Sequence, residues 1–344
     1  MKYWFKSDNT SAACPEVMDA LLRANQGHAA AYGDDEWSQR LDGVFADFFG
    51  RSVRVFPVST GTAANTTALA ALTPPYGAIV THEYSHIVRD ECGAPEFMTG
   101  GARLLPMPGT NGRLTRALLE RALADNPTSV HTVQPAAVSI TQATEFGTVY
   151  RPDGLADLAA CAHARGLHVH MDGARFANAV ATLGCHPGDV TWRAGVDVLS
   201  FGATKNGAIA AEAVVFFDTD LVRDYEFRRK RAGHLLSKMR YVSAQLLAYV
   251  ETGAWLRNAR AANALAQRIG EAGSARLLYP VEANEIFLKL GDNAIAALRA
   301  QGFAFYDWGA TGSGEARIVV SWNQSEADVE ALCAALAAPP TESL

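Results

Sequence analysis

Cysteine is scarce in this sequence, five residues in 344, and no two are spaced C-x-x-C. The odd set of Cys14, Cys92, Cys161, Cys185 and Cys333 argues against a disulfide framework and fits buried thiols in a reducing cytoplasm. Long apolar runs are missing too: nowhere do about 18 apolar residues follow one another, as a membrane-spanning helix requires. The stretch Met1-Lys2-Tyr3-Trp4-Phe5-Lys6 has no apolar core of the kind a secretory signal needs. The expectation is a soluble, untargeted, cytoplasmic protein with no membrane partner. Positive charge is in deficit, with 30 Lys and Arg against 36 Asp and Glu and a net charge of -6, so no nucleic-acid partner is expected. The one basic cluster, Arg228-Arg229-Lys230-Arg231, fits a solvated helix face, an anion site or a subunit contact equally well. Neither G-x-x-x-x-G-K-[ST] nor G-x-G-x-x-G is present, which removes the usual nucleotide signatures. There is no internal repeat and no low-complexity linker.

What the sequence does have is a βαβ rhythm. Val53 to Val58, Ala78 to Val80, Arg103 to Leu105, Val130 to Val133, Val138 to Thr141, Leu167 to Met171, Val196 to Leu199 and Ala213 to Phe217 read as strands. Leu114 to Ala124 and Asp153 to Arg165 read as helices between them, the second stopped by Gly166. Pro15 suits the first turn of an early helix. Leu41, Val44, Phe45 and Phe48 recur at helical spacing up to Gly50. A long helical region runs from Val242 towards Ile269. The tail alternates again, with strands at Ile286 to Leu290, Phe303 to Trp308 and Arg317 to Ser321 and helices at Asn293 to Ala300 and Glu326 to Ala337. The fold class is therefore α/β, a mostly parallel sheet covered by helices. Residues 1–250 are expected to form a large domain and 251–344 a small α/β domain, with Ala338 to Leu344 fraying.

Ligands in such sheets lie beyond the carboxyl ends of the strands, which directs attention to four places. Ser59-Thr60-Gly61-Thr62-Ala63-Ala64-Asn65 is a small-residue turn between a strand and a helix. It reads either as a phosphate site at a helix N-terminus or as a simple cap by Ser59 or Thr60. His82-Glu83-Tyr84-Ser85-His86 matches H-E-x-x-H letter for letter. A zinc hydrolase built on His82 and His86 would need both on one helical face and a third ligand, whereas His82 falls at a strand end, so His86 reads better as a flat ring beside a cofactor. Asp172 and Arg175 end a buried strand, as an internal ion pair or as partners for a cationic ring nitrogen and a carboxylate. Finally, Lys205 sits among small residues in Ser200-Phe201-Gly202-Ala203-Thr204-Lys205-Asn206-Gly207. It is a plain loop lysine or, with a lowered pKa, a Schiff-base lysine. Each piece is weak alone. In this order they form the set that a pyridoxal phosphate site asks for.

The whole set, together with Ser7-Asp8-Asn9-Thr10, Tyr32-Gly33-Asp34-Asp35 and Ser85-His86-Ile87 followed by Glu91, resembles the low-specificity L-threonine aldolases. These are pyridoxal 5'-phosphate enzymes of the aspartate-aminotransferase fold, fold type I. The resemblance covers nearly the whole chain. It implies that Lys205 forms the Schiff base, Asp172 pairs with the pyridine nitrogen and His86 stacks on the ring. Gly61 and Thr62, with Asn65 nearby, would hold the cofactor. Arg240, with Arg231 as a helper, would reach the phosphate of a neighbouring subunit. Ser7, Tyr32, Arg175 and Arg317 would bind the substrate. A homotetramer or homodimer with shared sites is implied, and no metal.

The implied reaction is reversible retro-aldol cleavage of L-threonine, L-allo-threonine and related β-hydroxy-α-amino acids, L-phenylserine among them, to glycine and an aldehyde. His86 and Glu91 are the candidates for the base. Many family members carry a second histidine in the segment matching Ser139-Ile140-Thr141-Gln142. Here Gln142 takes its place, able to hydrogen-bond a hydroxyl but not to act as a base. A β-eliminating lyase, a racemase or an aminotransferase on the same fold shares Lys205, Asp172 and the phosphate turn, so those residues do not separate the reactions.

Overall fold

The computed structural model describes residues 2–337; the expected frayed end, from Ala338 on, lies outside the described residues. The strands in chain order are β1 (Tyr3–Trp4), β2 (Arg54–Val58), β3 (Gly77–His82), β4 (Arg103–Met107), β5 (Gln134–Thr141), β6 (His168–Gly173), β7 (Val198–Gly202), β8 (Glu212–Phe216), β9 (Glu285–Lys289), β10 (Phe303–Ala304), β11 (Tyr306–Trp308) and β12 (Glu315–Val319). A seven-stranded sheet runs in the order β2-β8-β7-β6-β5-β3-β4. β8 is antiparallel to both its neighbours, and the remaining pairings are parallel.

The central strands are apolar on both faces because helices cover both. Every residue of β3, β7 and β8 is buried, the pattern of a doubly covered parallel sheet. One layer packs Phe45, Phe48 and Phe49 of helix Leu41–Phe49 edge-on against Phe201 of β7, the Phe45 ring at 5.2 Å. The other layer is built on helix Gly61–Leu72, which is buried almost all round. A helix buried on every side must be apolar or small throughout, and this one is largely alanine and threonine.

A second core gathers Ile269, Ile286, Leu288, Ile318 and Leu332 with Phe5. It lies beneath the antiparallel sheet β11-β12-β9, with helices Ala254–Ala272, Asp292–Ala300 and Glu326–Ala337 alongside. β1 pairs in parallel with β10, Tyr3 opposite Phe303, so the first residues of the chain, grouped by sequence with 1–250, join the C-terminal unit.

Three expected elements come out differently. Val130 to Val133 is a turn, with Val130 98% exposed, and the strand starts at Gln134. The expected helical region from Val242 to Ile269 is two helices, Arg240–Glu251 and Ala254–Ala272, broken at Gly253 with φ 72°, a left-handed conformation that glycine adopts without strain. Phe303 to Trp308 splits into β10 and β11, which join different sheets. No helix among the described residues is long and apolar enough to cross a membrane.

Candidate active site

The parallel strands β5, β6 and β7 deliver their carboxyl ends to one edge, with Thr141 opposite Asp172 and Asp172 opposite Ser200. Just beyond them is a cavity of about 400 Å³ lined by Gly61, Thr62, Asn65, His86, Asp172, Arg175 and Lys205, among others. A second, more open compartment shares His86, Arg175 and Lys205 and adds Ser7 and Arg317.

Lys205 stands on a single helical turn, Thr204–Asn206, directly after β7. The turn is pinned by its neighbour: the Asn206 side chain donates to Tyr249 Oη at 2.6 Å and to the Trp255 carbonyl at 2.8 Å. Gly207 follows with φ 118°, and a Cβ there would stand 2.7 Å from Asn258 Nδ2. The lysine is therefore presented from a fixed loop.

Asp172, on β6, is held from two sides. Its Oδ1 accepts the Ala174 N–H at 3.0 Å and its Oδ2 accepts from Asn65 Nδ2 at 2.7 Å. The same amide group donates to Glu91 Oε1 at 2.9 Å, and His86 Nδ1 reaches that oxygen at 2.8 Å. Asn65 thus clamps two buried carboxylates. The hydrogen bond to Glu91 raises the His86 pKa above the usual imidazole value, against the effect of burial.

The turn before helix Gly61–Leu72 is capped and also borders the cavity. Thr60 caps the helix, its Oγ1 accepting the Ala63 N–H at 3.1 Å. The first N–H groups of a helix have no partner within it, and here the first helical residues, Gly61 and Thr62, line the cavity beside Ser59 and Thr60. A Cβ added at Gly61 would meet nothing within 4 Å. Open space at a helix N-terminus, an amine, a fixed carboxylate and an imidazole make a donor set that fits a phosphorylated pyridine aldehyde.

At the other end Arg175 donates from Nε and Nη2 to Asp8 at 2.8 and 3.0 Å. Its Nη1 lies 3.3 Å from Glu285 Oε2. Arg317 donates to Glu285 Oε1 from Nε, at 3.1 Å, and from Nη2, at 2.6 Å. Burial pushes the Asp8 carboxyl up, but the charges of Arg175 and Lys205 and hydrogen bonds from Arg175 and Asn284 outweigh it and hold it down to about 2. Ser7 Oγ accepts the Asn9 N–H at 3.1 Å.

Several candidates do not reach this cavity. Gln142 is fully buried. Its amide is consumed by the Tyr150 backbone, donating to the carbonyl at 3.0 Å and accepting the N–H at 2.9 Å. It therefore does not present a group to a substrate hydroxyl, as expected from the sequence. Tyr32 is exposed, in a separate groove with Arg54 and Arg229. Arg231 is exposed at the end of helix Tyr225–Arg231, and Arg240 opens helix Arg240–Glu251; neither lines the cavity around Lys205. The helical placement that a zinc site at His82 and His86 needs does not occur. His82 ends β3, with ring nitrogens against the Gly109 carbonyl (3.0 Å) and the Tyr84 N–H (3.1 Å), and His86 opens a separate four-residue helix.

Four acids at the site escape sequence reasoning: Asp8, Glu145, Glu212 and Glu285. Glu212 lines the cavity and accepts the Ala203 N–H at 3.2 Å, and burial pushes it up to about 7. Glu145 lines both compartments. The only sequence signal for Glu212 or Glu145 is an acid standing alone among small and apolar residues.

This architecture is that of the fold-type-I enzymes. The chain belongs to the β-eliminating lyase family, whose model matches residues 5–292. Within it the chain is 47% identical to the low specificity L-threonine aldolase of Pseudomonas aeruginosa over 93% of this chain and 92% of that one. The Escherichia coli protein of the same description is 24% identical, over 85% of this chain and 86% of that one. The solved structure of Leishmania major threonine aldolase superposes with a TM-score of 0.91 at 27% identity, covering 97% and 98% of the two chains. An aspartate aminotransferase of Thermus thermophilus shares the fold, with a TM-score of 0.73 at 16% identity over 97% and 95%.

Proposed function

We propose that this chain cleaves L-threonine and related β-hydroxy-α-amino acids to glycine and an aldehyde, with pyridoxal 5'-phosphate as its cofactor. The observation that carries the reading is one cavity holding Lys205 and the clamped Asp172, with a helix N-terminus at one end and Arg175 at the other. The close similarity to low specificity L-threonine aldolases supports it. Lys205 would hold the cofactor through its amine, Asp172 would pair with its ring nitrogen and His86 would lie against its face. The turn at Gly61 and Thr62 would take its phosphate. When bound, the cofactor supplies an electron sink for the charge left on Cα as the Cα–Cβ bond breaks.

The rest falls to the protein's own groups. Arg317 spends Nε and Nη2 on Glu285, which leaves Nη1 for the substrate carboxylate beside Arg175. Ser7 adds a hydroxyl in the same compartment. Anchoring the carboxylate there fixes the direction of the Cα–Cβ bond, and such positioning supplies much of the rate. Tyr32, Arg231 and Arg240, remote from this chain's own cavity, suit a homodimer or homotetramer in which they complete a neighbour's site.

Racemisation is a second reading, since a protein described as an alanine racemase is 29% identical over 67% of this chain. Purified protein mixed with pyridoxal phosphate should gain an absorbance band near the visible edge, and adding L-threonine should release acetaldehyde and glycine in equal amounts. Lys205→Ala should lose both the band and the aldehyde. Inverted alanine, or pyruvate and ammonia from serine, without aldehyde would keep the fold and discard the reaction.

A further inference from the structure

Retro-aldol cleavage needs a base for the β-hydroxyl, and the sequence offers His86 or Glu91, with Gln142 as a hydrogen-bond partner only. In the structure Gln142 is turned away and consumed by Tyr150. Glu91 Oε1 receives both Asn65 and His86, and Glu91 lines neither compartment; His86 spends Nδ1 on that contact. Three residues past Gln142 the chain returns to the cavity, and there it places Glu145.

Resting on the aldolase reading, we propose that Glu145 is the general base that takes the substrate's β-hydroxyl proton and returns it in the reverse reaction. Its side chain borders both compartments, with Lys205 and Arg175 alongside it in each. Oε1 accepts the Thr141 hydroxyl at 2.7 Å and the His86 backbone N–H at 2.8 Å, which fixes the carboxyl. Oε2 is shut off from solvent and has no partner. The terminal torsion of a glutamate is broad and two-fold, so either oxygen can serve. An unpartnered buried carboxyl oxygen is costly, and a ligand hydroxyl arriving in the cavity is the donor that would satisfy it.

The charges around the carboxyl suit the task. Burial pushes Glu145 up to about 7, the Asp172 charge adds to this, and the Thr141 and His86 hydrogen bonds oppose it. Arg175, whose positive charge Glu145 helps to hold, and Lys205 line the same two compartments. Tyr150 is its other titratable neighbour. A base works best with its pKa near the working pH.

The step balances without an added reactant. The O–H bond breaks and its proton passes to Glu145. The oxygen's pair becomes the second C–O bond of the aldehyde. The Cα–Cβ pair stays on Cα, and a proton returned to Cα completes glycine, so no proton is gained or lost overall.

The test is Glu145→Gln, which keeps the acceptor for Thr141 and His86 but cannot take a proton. Threonine cleavage is expected to fall about 10²–10⁴-fold, the usual worth of a general base, with loss of the acid limb in its pH profile. Exchange of the glycine α-proton with deuterated solvent involves no β-hydroxyl and should fall far less than cleavage does. Glu145→Asp should restore the acid limb in part. In cofactor-free protein the infrared band of a protonated carboxyl titrating near pH 7 should be weakened in Glu145→Gln, with the Glu212 share remaining. Cleavage undiminished in Glu145→Gln, glycine exchange lost in step with cleavage, or an acid limb missing from Glu145→Asp would each overturn the assignment. Absence of aldehyde from the unmodified protein would overturn the aldolase reading and the base with it, so the two failures are distinct.

Discussion

Asp8→Asn probes how the carboxylate end of the site is held. Asp8 is 1% exposed, grips Arg175 with two hydrogen bonds and accepts a third from Asn284 at 3.1 Å. Asparagine keeps the shape and removes the charge. Two routes give the magnitude. A carboxyl held from 3.8 down to about 2 is worth about 2 kcal/mol at 1.36 kcal/mol per tenfold change in proton affinity. Removing one partner of a buried pair costs about 3–5 kcal/mol. Arg175 keeps Glu285, at 3.3 Å, which argues for the lower figures, so the expected loss is about 2–3 kcal/mol.

The pH dependence has a definite sign. Between pH 3.8 and about 2 the unfolded chain binds the Asp8 proton and the folded chain does not, so stability rises with pH across that window. The contribution is complete above it and vanishes as pH falls through the folded value. Urea unfolding of cofactor-free protein should show the full gap between parent and variant at about pH 7 and pH 5, and a smaller one near pH 3. Equal midpoints at neutral pH, or a gap that widens in acid, would refute the argument.

Two further substitutions test how the site is supported. Gly202→Ala places a Cβ 2.7 Å from both Cα and O of Ala174; backbone cannot yield cheaply, so a loss of about 1–3 kcal/mol is expected, read by thermal melting, together with weaker cofactor uptake because β7 leads into the turn that carries Lys205. Thr60→Ala removes the cap on Ala63; about 1 kcal/mol should go, and a fluorescence titration with pyridoxal phosphate should show a raised Kd, whereas a change in stability alone would deny the turn a part in phosphate binding.

The parallel sheet was legible because β3, β7 and β8 are buried on both faces and so read as continuous apolar runs. Lys205, Asp172 and the turn at Gly61, each weak alone, stood out by their order along the chain, and all three line one cavity. Val130 to Val133 misled because β-branched residues at a turn look like those of a strand, and one-dimensional pattern does not show that Val130 faces water. The break at Gly253 was hidden in a helical composition on both sides. The acids were missed for a different reason. Asp8 meets Asn284 across 276 residues, and Glu285 of β9 meets Arg317 through its pairing with β12 and Arg175 from beyond the end of β6. Gln142 and Glu145 lie three positions apart, and which of them enters the cavity is decided by hydrogen bonds to Tyr150 and Thr141, not by residue type.

The pairing of Tyr3 with Phe303 reaches beyond architecture into the order of events during synthesis. Chains leave the ribosome N-terminus first, at about 5–20 residues per second. Ser7 and Asp8 therefore emerge early; Asp8 can meet Arg175 once β6 has been made, but Asn284 and Arg317 follow only with β9 and β12. The nascent chain can assemble its large sheet and display Lys205 while the groups that receive a substrate carboxylate are still apart. Competence to hold an amino acid is thus withheld until β12 has been made.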